Sequence, residues 1–400
     1  MITKKIIKYK FRRYNSIGKE ECIAANKVIK SGRLSGFLAG TTAEFQGGKY
    51  VKLFEKRLRK YFNVKHAITT NSWTSGLVAS IYALNLKKND EIIVPTWTMS
   101  ACLAAILSSG AKPVICDVDI DDFTIDINQI EKNISKKTTA ILAVDIFGMP
   151  CNYEKIIRIA KKFSLKIISD SAQAIGAKCG KKFTSTMSDI GGFSLNRHKH
   201  INTGEGGILI TNNTLYARKL KLIRNHAESS VKKNEESSIK KIIGQNYRLG
   251  EIEAAIGIEQ LKKLKRIISK RRSDARKIYN GIKKLKGLKI PDQEYISKSV
   301  FYILPMKIDL KIINVSRNKI INKLKLLGMQ GIIGSYSSLH LLPIVKLNKY
   351  KTDCKNADTL NSKLFLGFLI CLYDLSSKDI FKIISCFKKT WQDLKISSND

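Results

Sequence analysis

From about Lys65 to Asn212, short apolar runs alternate with longer segments in which apolar residues recur every three or four positions. The runs at 91–94, 113–116, 140–144 and 166–169 have the length and continuity of strands buried on both faces, whereas 151–163 carries helical spacing. Such alternation predicts an α/β fold with a mostly parallel sheet covered by helices on both sides. The order breaks at 228–241, a polar stretch rich in lysine and serine that reads as a mobile loop and lid. Helical spacing returns from Glu251 to about Lys284, over one or two long helices that leave the large domain. A smaller α+β unit follows, with a strand at 299–308, a helix at 316–327 and a closing helix from Lys378 to about Leu394.

Four hundred residues are enough to bury a sizeable core. A formal charge of +39 can mark a nucleic-acid or anionic-membrane binder. Here the lysines are spread through every segment, with no basic arm and no interleaved aromatics, so neither partner is expected. A positive field still draws in anionic small molecules. The eight cysteines show no Cys-x-x-Cys pair and no histidine spacing of a zinc site, which predicts reduced thiols in a cytoplasmic protein and no metal. The basic start lacks the apolar core of a secretory signal, and the nearest approach to a membrane span, 364–373, falls short of the roughly 20 residues one needs.

The chemistry concentrates around three elements. Ser194 and Lys199 lie in a strand-like segment, and a glycine-rich turn at 204–207 follows, where backbone can close around a flat ligand. An amine held rigidly and partly desolvated keeps enough neutral form to attack an aldehyde. Upstream, the strand at 166–169 ends in Asp170, with Gln173 three residues on. Ligands of open α/β sheets bind at the carboxyl ends of strands, and a carboxylate there keeps a pyridine nitrogen protonated. Gln173 is then in position to bond the ring's phenolic oxygen. Taken alone, Asp170 is also what a helix cap after a strand looks like. Thr74 and Ser75, opening a helix after the strand-like 66–70, offer backbone N–H groups and a positive dipole end to a phosphate. Together the three suit pyridoxal 5'-phosphate.

In this order, and with Val-Pro-Thr-Trp-Thr at 94–98, Phe-Gly-Met-Pro at 147–150 and a segment at 244–257 that begins Gly-Gln-Asn-Tyr-Arg, they resemble the DegT/StrS-type sugar aminotransferases, a pyridoxal phosphate family of fold type I. The resemblance runs from about Gly32 to the C-terminal region. It implies a large cofactor domain, 15–255, with a mostly parallel seven-stranded sheet, and a small C-terminal α+β domain, 256–400. Lys199 would form the Schiff base and carry the proton between substrate carbon and cofactor. Asp170 would hold the pyridine nitrogen and Gln173 the ring oxygen. Thr74, Ser75 and Ser194 would bind the phosphate, joined by Asn246 from a neighbouring subunit, so that a homodimer shares its active sites. Arg248, Tyr336, His340 and Ser35 stand where the family meets its substrates, and the flanking His198 and His200 read as packing residues.

Two positions depart from the family pattern. Met99 replaces an aromatic that stacks on the cofactor, so either its thioether or Trp97 must pack there. Trp73 replaces a small residue in the phosphate loop, where it either narrows the substrate cleft or covers apolar surface. The implied activity transfers an amino group from an amino acid, L-glutamate by expectation, to a keto group of a nucleotide-linked sugar, in cell-surface polysaccharide or amino-sugar synthesis. The alternatives are a pyridoxal- or pyridoxamine-phosphate-dependent ketosugar dehydratase, where the lysine is commonly histidine, and a noncatalytic regulatory or nucleic-acid-binding protein on the same fold. Lys199, with Asp170 and Gln173, favours transfer.

Overall fold

The computed structural model describes residues 9–227, 230–231 and 233–396. Its large sheet has eight strands in the order β1 (His66–Thr70), β9 (Gly207–Thr211), β8 (Ile190–Ser194), β5 (Lys166–Asp170), β4 (Thr138–Val144), β2 (Glu91–Pro95), β3 (Lys112–Cys116) and β13 (Thr352–Asp353). Neighbours are parallel except β9, which runs antiparallel to both β1 and β8. Seven of these strands are those of the expected sheet. The eighth, β13, comes from the C-terminal part and pairs with Ile115 and Cys116, meeting backbone groups of β3 that would otherwise form an open edge.

Helices α1 (Lys19–Lys30), α2 (Lys49–Phe62), α3 (Trp73–Ala83), α4 (Ser100–Ser108), α5 (Ile127–Lys132), α6 (Tyr153–Lys162), α7 (Thr214–Arg224), α8 (Ser237–Lys240) and α9 (Glu251–Ile282) precede the second sheet. The continuous apolar runs of the central strands are explained by burial on both faces. Ile93, Ile141 and Ile167 pack with Tyr153 and Ile156 of α6, while their chain neighbours Ile92, Leu142 and Ile168 join the core of Leu77 and Ile106.

The second sheet is antiparallel, in the order β10 (Leu288–Lys289), β11 (Leu304–Ile308), β14 (Phe365–Phe368) and β12 (Ile332–Ile333); β6 (Lys178–Cys179) and β7 (Lys182–Phe183) form a separate hairpin. Helices Arg317–Leu326 and Ser377–Asp393 lie where the periodicity put them. The strand expected from residue 299 starts only at Leu304. Val300 and Tyr302 donate their N–H groups to Gly148 and Phe147, and Phe301 between them has φ of 53°, so this stretch bends instead of pairing.

Two further expectations concern the domain boundary and the polar stretch. The boundary at 255/256 falls inside α9, a single helix of 32 residues that packs on α1 and α2 at one end and on Ser377–Asp393 at the other. Its first residue, Glu251, accepts hydrogen bonds from the N–H groups of Tyr50 (2.8 Å) and Val51 (3.1 Å), capping α2 from outside. The stretch read as a mobile lid is also tied down, save for Glu228, Ser229 and Lys232, which lie outside the described residues. Arg218 reaches Glu235 at 2.7 Å and the Ser230 carbonyl at 2.6 Å, Ser230 donates to the Gly40 carbonyl, and α8 buries Ile239. Among the described residues no helix is long and apolar enough to cross a membrane, and no cluster of three or more His, Cys, Asp or Glu side chains is placed to hold a metal ion. All eight cysteines are unpaired.

Candidate active site

The carboxyl ends of β5 and β8 and the start of α3 meet at one place. Asp170, the last residue of β5, is 6% exposed. Its Oδ1 accepts from Trp73 Nε1 (2.7 Å) and the Ala172 N–H (3.0 Å), and its Oδ2 accepts from Cys102 Sγ (3.1 Å). A carboxylate offers about four lone-pair directions, so the open one is on Oδ2. Gln173 is fixed at both ends: its Oε1 accepts from the Phe147 N–H (2.8 Å), and its Nε2 donates to Tyr336 Oη (2.7 Å), leaving one amide hydrogen. Tyr336 is thus brought to the site, and burial pushes its phenol pKa upward.

Lys199 is not on a strand, as its surroundings had suggested. β8 ends at Ser194, the Lys199 N–H closes a turn onto the Asn196 carbonyl (2.9 Å), and Gly204 and Gly206, both at positive φ, return the chain to β9. The amine is buried, with Nζ 4.5 Å from the centroid of the Tyr302 ring. Burial lowers its pKa from the ordinary lysine value, against the opposing pull of Asp170 and Cys371. The two flanking histidines are engaged elsewhere. His200 is fully buried and bonds the Val300 carbonyl through Nε2 (2.8 Å), and burial pushes its pKa well down. His198 lies with its ring 5.9 Å from that of Tyr302; burial, then the charges of Lys199 and Arg197, bring its pKa down to about 4.

The register of three strands assembles the hydroxyl groups. Gly207 pairs with Thr70 on one side and Ser194 on the other, so the ends of β1 and β8 flank it. A Cβ on Gly207 would lie 2.5 Å from the Ser72 carbonyl and from Thr70 Oγ1, so only glycine lets β9 pass under this loop. Ser72 caps α3 by accepting from the Ser75 N–H (3.0 Å), and its hydroxyl is 2.9 Å from that of Ser75. Thr74 is exposed in the first turn, where backbone N–H groups have no intrahelical partner. Asn246 stands at the rim of this loop: its side chain is exposed, its backbone bridges to Asn225, and the adjacent Tyr247 carbonyl accepts from the Asn71 N–H (2.9 Å). Two positions further on, Arg248 keeps a buried Nε with no partner.

These features fit pyridoxal phosphate: an open lone pair on Asp170 for a ring N–H, a spare amide hydrogen on Gln173 for the phenolic oxygen, a hydroxyl-rich helix start for the phosphate, and a buried amine for the aldehyde. Other expected residues stand apart. Trp97 is fully buried among Phe123, Phe147, Tyr336 and Phe365 and cannot turn in, whereas Met99, at the N-cap of α4, is 63% exposed and free to pack on a ring. His340 has both ring nitrogens engaged, Nδ1 with Thr96 Oγ1 (2.5 Å) and Nε2 with Asp358 (2.9 Å), so it braces the loop and has no nitrogen left for a substrate. Ser35 is exposed, its hydroxyl accepting weakly from the Phe37 N–H (3.4 Å). Trp73 is buried, 5% exposed, with its indole N–H on Asp170. Cys102, Tyr302 and Cys371 went unnoticed in the sequence, because no local pattern marks them; each reaches the site only through the tertiary fold.

The model of the DegT/DnrJ/EryC1/StrS aminotransferase family matches residues 31–388. An uncharacterized protein of Methanocaldococcus jannaschii is 33% identical over 383 residues, 93% of this chain and 95% of its own length. GDP-perosamine synthase of Escherichia coli O157:H7 is 37% identical over 229 residues, 57% of this chain and 62% of that enzyme, so the match spans less than two thirds of that relative. Among solved structures, Helicobacter pylori PseC, an aminotransferase involved in the biosynthesis of pseudoaminic acid, superposes with a TM-score of 0.82 at 26% identity, covering 96% of this chain and all of that one. The E. coli GDP-4-keto-6-deoxy-D-mannose-3-dehydratase, with hydrated pyridoxal phosphate bound, gives 0.80 at 25% identity over 94% and 99% of the two chains.

Proposed function

The chain belongs to the DegT/DnrJ/EryC1/StrS aminotransferase family, and from that premise we propose that it moves an amino group from L-glutamate to the keto carbon of a nucleotide-linked hexose, working as a homodimer. It is a sugar aminotransferase of polysaccharide biosynthesis, and its cofactor is pyridoxal 5'-phosphate. One observation carries the choice of chemistry: the group buried within electrostatic reach of Asp170 is the amine of Lys199, while the imidazole of His200 is bonded to the Val300 carbonyl. The dehydratase reading depends on a histidine in that place, and this geometry favours transfer over it.

When bound, the cofactor supplies an aldehyde carbon that accepts nitrogen and a cationic ring that takes up the electron pair left when a neighbouring C–H loses its proton. Lys199 Nζ is the covalent anchor. Because burial enlarges its neutral fraction, the same atom serves as the base that removes the proton of the donor carbon and returns it nearby. The Tyr302 ring beside Nζ limits where the amine can swing. Asp170 Oδ2 holds the ring N–H, and Gln173, itself fixed by Phe147 and Tyr336, holds the phenolic oxygen. Thr74, Ser75 and Ser194 bind the phosphate, and exposed Asn246 reaches across to the site of the other subunit. The unpartnered Nε of Arg248 suits the donor's carboxylate.

The test is the visible spectrum of the purified protein, loaded with pyridoxal phosphate, before and after L-glutamate. The band of the lysine-bound cofactor should fall as that of the aminated cofactor rises, and a ketosugar nucleotide should then restore it, as ping-pong kinetics require. A bound cofactor that glutamate leaves unchanged would exclude this donor. A sugar product that has lost water and gained no nitrogen, read by mass, would replace transfer with dehydration.

A further inference from the structure

We propose that Trp73 is a positioning residue for the cofactor's ring nitrogen, acting through Asp170. The inference rests on the reading of Asp170 as the partner of that nitrogen. Trp73 opens α3, yet its side chain turns inward, between the helix and β8. Two glycines make the space: a Cβ on Gly192 would lie 2.1 Å from the indole's six-membered ring, and one on Gly76 would lie 2.7 Å from it. From this slot the indole N–H reaches Asp170 Oδ1 at 2.7 Å. A residue that merely filled the slot would leave a buried N–H in need of a partner; here the partner is the one carboxylate assigned to the cofactor, and the bond is charge-assisted.

Three elements thereby converge on one side chain. Trp73 comes from α3, Cys102 from α4, where its Sγ also lies 3.1 Å from Thr98 Oγ1, and the Ala172 N–H from the turn after β5. The donors on Oδ1 fix the carboxylate's rotation and turn the open direction of Oδ2 toward the ligand. A tryptophan in the phosphate loop therefore serves the far end of the cofactor from the phosphate.

The experiment compares two cofactors on the same apoenzyme: pyridoxal phosphate and its 1-deaza analogue, in which carbon replaces the ring nitrogen. Trp73→Phe keeps an aromatic ring in the slot and removes the N–H, so any packing loss falls on both compounds alike. The variant should bind pyridoxal phosphate roughly tenfold more weakly than the parent, as expected for one charge-assisted hydrogen bond, with its affinity for the deaza compound unchanged. Equal losses for both compounds, or no loss for either, would overturn the role of Trp73. If the unsubstituted protein binds both compounds equally well, the assignment of Asp170 itself fails, and the two failures are thus distinguishable. Should Trp73→Phe not fold, the unsubstituted protein gives the answer by NMR, since its three tryptophans yield three indole N–H signals, assigned through Trp97→Phe and Trp391→Phe. The Trp73 signal should move on adding pyridoxal phosphate and hold still with the deaza compound; the same shift with both, or none, would again overturn the proposal.

Discussion

Lys199 and His198 are neighbours whose burial has opposite uses. The lysine gains a neutral fraction that suits a base, and Lys199→Ala should abolish transamination while leaving the protein folded and dimeric; full turnover in that variant would remove it from the mechanism. The histidine contributes to acid sensitivity. Its pKa is about 4 in the folded chain against an ordinary 6.5, so between those values the unfolded chain holds more protons and acidification favours unfolding. The stability it contributes is present above pH 6.5 and lost as the pH falls toward 4. Asp122 and Asp145, pushed by burial up to about 6, act in the other sense, their share being lost as the pH rises through 6. The histidine is therefore read by difference: His198→Asn should lose less thermal stability than the parent between pH 7 and pH 5, and an identical loss would contradict the assignment. At this scale the sequence showed the lysine, aspartate and glutamine, because each sits beside a strand end or a glycine turn. It hid the bond between Trp73 and Asp170, 97 residues apart, since the slot for the indole is made by Gly192 on another strand.

Among the elements, the central strands were legible because burial on both faces leaves an unbroken apolar run. Bends were not: the turn that carries Lys199 and the late start of β11 are both set by backbone hydrogen bonds to other segments or across a loop. The link between α2 and α9 is of the same kind. Glu251→Ala should cost about 1–2 kcal/mol in urea unfolding, the usual loss for a helix cap, even though Glu251 lies 200 residues from the Val51 N–H it caps. Gly257→Val should cost more, about 1–3 kcal/mol for overpacking plus the loss of the cap-side fit, because a Cβ there would meet the Phe54 ring at 2.6 Å. A neutral result for either would mean that α9 shifts freely on α2.

For the whole molecule, the prediction that tests most is the sharing of sites between subunits. If Asn246 serves the opposite site, mixing subunits that carry Lys199→Ala with subunits that carry Asn246→Asp should restore activity that neither variant has alone, since each hybrid holds one intact site; no recovery on mixing would keep Asn246 in its own subunit. The change from alternating to helical pattern near Glu251 was legible, but not that the single helix α9 would contribute to two cores. Nor was β13 foreseeable, two exposed polar residues in a stretch with no strand signal. Its position has a consequence for biogenesis. Until residues 352 and 353 have left the ribosome, the β3 margin of the sheet has no partner, so a nascent chain that has already folded its first seven strands presents an unsealed edge to its neighbours on the same messenger RNA. The vulnerable period of this protein is thus late in translation, and a stalled or prematurely released chain is the form that chaperones must meet.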